Sequence, residues 1–258
     1  MAFKIPKHPS KKFLKVFLEA QYQNFNAECA VSEEFLDPLL VAREFRNEKI
    51  ALFCALFAYG NVRAILKFLR SCNLGDLLDS NGNCKLQTNQ PYRFQSNAEI
   101  QDFFRVLLHL ESLESIFYQG YQKVGIQNGI LSGIQSLQNA IYRRLQNPNS
   151  KGLQFLLGAP ITEKNTSPLK RWNLFLRWMV RKDFLDLGLW SSVDTKDLLL
   201  PLDTHTFRIS QRLGLLKRKS YDYKAVLEVS QSLREFDASD PIKYDFALYR
   251  IGQLRLLS

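Results

Sequence analysis

The chain has 258 residues and a formal net charge of +10, with 46% hydrophobic and 23% charged residues. A chain of this length buries a sufficient core without metal or disulfide staples, and its apolar content excludes a disordered or fibrous protein. No apolar run approaches the roughly 20 residues of a membrane span, so no membrane partner is expected, and the positive charge points to a polyanion.

The first helix is expected after Pro9-Ser10, over 10–25, because Phe13, Val16, Phe17 and Ala20 recur at helical spacing. A more apolar helix runs from Ile50 to about Tyr59, and Gly60-Asn61 breaks it before the stripe Val62, Ile65, Leu66, Leu69 resumes. The stretch from Leu74 to Gln95 is rich in Gly, Asn, Asp and Gln and reads as a long loop, with Asn81-Gly82 as its turn. Phe103 to Tyr121 reads as one helix and Gly133 to Leu145 as another. After Pro148-Asn149-Ser150 a short apolar turn covers Leu153 to Leu157.

Pro168 is expected to open a helix whose inner stripe is Trp172, Phe175, Trp178 and Met179, with Lys170, Arg177 and Arg181 along its polar side. Asp203 stands where a helix N-cap belongs, and Gly214 suits the stop after Leu213. Between them His205, Arg208 and Arg212 share one face, and Leu202, Thr206, Ile209 and Leu213 the other. Asp240-Pro241 reads as the start of a last helix carrying Tyr244, Leu248 and Ile251. Alternating runs rich in Val, Ile and Thr are scarce, so the fold class is all-α.

From Ile141 through Lys182, nine basic residues stand against the single acid Glu163, leaving +8 of the total +10 in that stretch. Such a cluster reads either as a solvated face or as a phosphate-binding one. The cysteines Cys29, Cys54, Cys72 and Cys84 have no C-x-x-C spacing, and only His8, His109 and His205 could join them. No zinc site is expected, and the set reads as reduced thiols in a cytoplasmic protein without a secretion leader.

The segment Leu202-Asp203-Thr204-His205-Thr206-Phe207-Arg208, closing on Arg212-Leu213-Gly214, resembles a signature of the helix-hairpin-helix DNA glycosylases, the superfamily of endonuclease III. Four blocks also resemble a bacterial family of conserved hypothetical proteins: Ala58 to Asn61, Lys170 to Asp183, Pro201 to Arg208, and Asp240 to Leu248. The superfamily resemblance implies a single glycosylase-like unit over 1–258. A helical bundle over about 40–167 and a catalytic-like half over 168–258, joined by helix 10–25, would flank a cleft.

The same resemblance implies cleavage of the bond between a base and its sugar, on damaged double-stranded DNA, by a monomer without cofactor. Asp203 would face the oxocarbenium charge at C1′, and Lys170 would be the nucleophile of a Schiff-base lyase. Tyr59, Asn61 and His205 would serve the pocket of an extruded base, and Arg171, Arg177, Arg181, Lys182 and Arg208 the phosphates. Lys170 and Asp203 are 33 residues apart, a long spacing shared by archaeal glycosylases of oxidised guanine.

On position alone, Asp203 is a helix cap, Lys170 a solvated lysine at a helix start and His205 a packed side chain. The glycine-rich hairpin of the superfamily is not legible in 161–169, and no cysteine follows Cys84, so no iron–sulfur cluster is expected. A helical nucleic-acid binder that has lost the chemistry is the alternative.

Overall fold

The computed structural model describes residues 3–27, 30–32, 34–78, 90–122, 129–162, 167–254 and 256. Among them are twelve α-helices, two 3-10 segments and no strand, with two isolated bridges, Tyr92 to Gln95 and Lys182 to Leu187. None of these helices is long and apolar enough to cross a membrane. Asn81-Gly82, Glu163, Cys29 and Cys84 lie outside the described residues, whereas Cys54 and Cys72 are buried free thiols.

Most helices begin on a side chain that accepts an otherwise unpaired backbone N–H. Ser10 caps α1 (Lys11–Phe25), Asn47 caps α3 (Glu48–Leu56), and Asn61 caps α4 (Val62–Ser71), while α2 (Leu39–Phe45) starts after Pro38. Ser96 and Glu99 close a reciprocal capping box on α5 (Asn97–His109).

The single helix expected over 103–121 is two. It breaks at Leu110, which is extended, and α6 (Leu113–Tyr121) restarts on Ser112. The break is held from a distance, because the Glu48 carboxylate on α3 accepts the N–H groups of Leu113 and Glu114 at 2.7 and 3.1 Å. A negative charge at a helix N-terminus is favourable, and no local pattern announces one supplied from 65 residues away.

α6 packs on α7 (Gly129–Tyr142), and α8 (Lys151–Leu157) follows on the Ser150 cap. α9 (Lys170–Val180) packs on α3, so the central helix of the C-terminal part lies against the most apolar helix of the N-terminal part. α10 (Thr204–Arg212) and α1 both pack on α12 (Asp245–Gln253), with α11 (Tyr223–Arg234) between α10 and α12 in sequence. One contiguous apolar cluster joins these contacts, from Leu14 and Phe17 through Phe53, Phe103 and Trp178 to Ile251.

Two expected helix starts shift. α9 begins at Lys170, two residues beyond Pro168, and α12 begins at Asp245 after a turn over 241–244 rather than at Asp240-Pro241. At Asp240 a tertiary contact claims the expected cap, because its carboxylate accepts from Arg181 at 3.0 Å.

Candidate functional site

α9, α10 and α12 meet the segment after α3 around a cavity of about 670 Å³. That volume lies within the range of small-molecule sites. Lys170 and Asp203 both line it, as do Tyr59 and His205. Residues far apart in the chain therefore share one wall system.

Each position has a local cause. Asp203 caps α10, with the Thr206 N–H donating to its carboxylate at 2.7 Å. This cap fixes the carboxylate at the cavity wall. His205 is exposed on the first turn of α10, where Gly252 of α12 comes so close that a Cβ there would stand 2.9 Å from the His205 Cβ. Lys170 is the first residue of α9, which has no side-chain cap; its neighbour Leu169 is buried and left-handed at φ 51°. A branched residue held there costs on the order of 1–3 kcal/mol, and such strain clusters at functional sites. Among the described residues the Lys170 ammonium makes no hydrogen bond and no ion pair.

Asn61 does not join the pocket. Its side chain accepts from the N–H groups of Arg63 and Ala64 at 3.0 and 3.4 Å, so it caps α4 and is not among the residues lining the cavity. Tyr59 is a wall residue whose hydroxyl donates to Gln95 and whose phenol burial pushes well above its ordinary value.

The basic stripe expected along α9 is largely internal. Arg177 is 3% exposed and binds Asp186 at 3.1 Å and Asp245 at 2.5 Å. Arg181, equally buried, binds Asp186, Asp183 and Asp240 at 2.5, 2.8 and 3.0 Å. Four carboxylates therefore enclose these two guanidinium groups, which are structural rather than phosphate-facing. Arg171 is also committed: it donates to the carbonyls of Leu56 and Phe155 and lies over the rings of Tyr59 and Phe155. Burial lowers its guanidinium to about 10, which leaves it charged at neutral pH. Of the expected phosphate contacts, Lys182 and Arg208 remain exposed.

Sequence reading missed Asp245. It lines the cavity at the start of α12, and burial raises its carboxyl to about 6 against the pull of Arg177, with the Asp203 charge adding to the rise. The available signal was an acid beside the apolar stripe Tyr244, Leu248, Ile251. The sign of its effect on stability follows. A carboxyl whose folded value exceeds its unfolded one stabilises fully below about pH 4, and that contribution is lost as pH rises through about 6. The unfolding free energy of the wild type relative to Asp245→Asn should therefore fall by up to about 3 kcal/mol between about pH 4 and pH 7, measured by urea unfolding. Parallel pH profiles would refute this assignment. Asparagine does not titrate, so the difference in slope between the two proteins is the readout.

Comparison with curated proteins and with solved structures gives no significant match. A family model described as Protein of unknown function (DUF2400) matches residues 37–254, which covers the cavity and every helix from α2 to α12. The chain belongs to that family.

Proposed function

We propose that this chain is a DNA-binding protein of the helix-hairpin-helix glycosylase type, acting on a base extruded from damaged double-stranded DNA into the cavity. The observation that carries the reading is the meeting of Lys170 and Asp203 at one cavity, across 33 residues of sequence, with aromatic Tyr59 on the wall. An extruded base needs an enclosed apolar and aromatic slot, and its sugar needs charge placed near C1′. Asp203 meets the second need: a carboxylate held by its own helix stabilises the oxocarbenium character that develops as the glycosidic bond breaks.

Lys170 would attack C1′ with its amine lone pair. The base departs with the electrons of the C1′–N bond and takes up a proton, and loss of the amine proton with ring opening leaves the Schiff base. Asp245 lines the same cavity and holds the Arg177 guanidinium in an ion pair at 2.5 Å.

Asp203→Asn is the test of the chemistry, because asparagine is as good an N-cap as aspartate and leaves α10 started. Base release from duplexes carrying oxidised bases should fall by about 10²–10³-fold, with salt-sensitive duplex affinity retained. A non-catalytic binder would release no base in either form.

A further inference from the structure

The cavity has a rim that the reading above does not use. Tyr92 and Gln95 exchange backbone hydrogen bonds at 3.0 and 2.9 Å, which makes Arg93 and Phe94 the tip of a tight turn. The turn is fastened to the cavity wall at three points. The Tyr92 hydroxyl donates to the Tyr59 carbonyl at 2.9 Å, the Tyr59 hydroxyl donates to Gln95, and the buried Gln95 amide donates to the Gly152 carbonyl at 2.7 Å. Arg93 is left-handed at φ 52°, a conformation that costs a non-glycine residue about a kcal/mol or more. Its guanidinium lies over Gly60, where a Cβ would come within 2.5 Å of Arg93 Nη1, so the absent side chain of Gly60 makes the seat for the arginine.

What this turn displays is apolar and exposed. Phe94 is 55% and Phe155 41% exposed, and their rings are 4.4 Å apart. Phe155 lines the cavity and is 5.0 Å from Tyr59, so the aromatic surface runs without interruption from the cavity wall to the outside. Arg93 sits 5.6 Å over the Phe94 ring and among the described residues makes no ion pair, whereas Arg171, 5.2 Å over Phe155, is held by the carbonyls of Leu56 and Phe155. Stacked rings beside the unpaired cation Arg93 suit flat π-systems joined by phosphates, because bases stack on the rings and a phosphate meets the cation. A rigid, strained tip costs little further ordering on contact.

We infer that the Arg93-Phe94 turn is the wedge of the DNA complex. Phe94 enters the stack where the extruded base has left, and Arg93 holds the neighbouring backbone. This inference rests on the proposed extrusion of a base and names the element that keeps the duplex open. The experiment uses the full chain with a duplex carrying one fluorescent adenine analogue, mispaired with cytosine, that brightens when unstacked. Wild-type protein should brighten it. Phe94→Ala and Arg93→Ala, both at an exposed tip, should leave the urea midpoint unchanged and duplex affinity within about threefold at matched salt. Phe94→Ala should lower the brightening on the order of tenfold. Undiminished brightening with Phe94→Ala overturns the wedge and leaves base extrusion standing, with the rim then fitting a protein partner better. Binding without brightening by the wild type overturns both.

Discussion

Replacing Arg177 with alanine lowers the free energy of unfolding by about 3–5 kcal/mol, read from the urea midpoint at constant slope. The magnitude follows from what the substitution strands. Arg177 is enclosed between Asp186 and Asp245, whose side chains are 0% and 4% exposed, and Asp186 is also bound by Arg181. Removing the guanidinium takes away the ion pair of the buried Asp245, and the desolvation cost of that carboxylate is no longer offset by it. Loss of the arginine stem and of its contact with the Phe246 ring, 5.8 Å from the guanidinium, adds to the effect.

Lys182→Ala supplies the contrast. Lys182 belongs to the same expected set of phosphate contacts but is exposed, and its replacement should change stability by less than about 0.5 kcal/mol. An Arg177→Ala loss below about 1 kcal/mol would mean that the aspartates escape to solvent. The ladder from Arg177 to Asp240 would then not organise the C-terminal half.

This ladder marks the limit of what the sequence made legible. The spacing of Lys170, Arg177 and Arg181 put three cations on one helical side, and the natural reading of a cation stripe is a solvated or phosphate-binding face. The partners of the two arginines come from residues 183, 186, 240 and 245, and a one-dimensional pattern carries no record of which acids a fold brings back to a helix. The apolar stripe of the same helix was legible, because Trp172, Phe175, Trp178 and Met179 are all buried and periodicity reports burial directly.

Local signals at helix ends behaved similarly. The Asp203 cap and the Gly214 stop, left-handed at φ 75°, are both where turn chemistry puts them. The break between α5 and α6 depends on Glu48 and was not visible. The cavity is intermediate. Tyr59, Lys170, Asp203 and His205 came from motif blocks and line it together, whereas Phe155 lines it through packing, and Asp245 lay in a motif block without being marked as a site residue. Asn61 shows the opposite error, a residue drawn into the pocket by its neighbours in sequence while its own side chain caps α4.

We propose that the α9 lysine and the α10 aspartate form one reactive site. Geometry supports it at both ends. A left-handed Leu169 precedes α9, whose first residue Lys170 lines the cavity, and the Thr206 N–H holds the Asp203 carboxylate at the same cavity. The neighbouring cations do not compete for the role, since Arg171 is tied to two backbone carbonyls and Arg177 to two aspartates. Borohydride reduction in the presence of duplex DNA carrying an abasic site reads the claim most directly, because it fixes a Schiff base as a stable protein–DNA adduct. Wild-type protein and Lys182→Gln should give the adduct, and Lys170→Gln should lower its yield by about 10²-fold or more. No adduct with the wild type, or an equal yield from Lys170→Gln, would contradict the account.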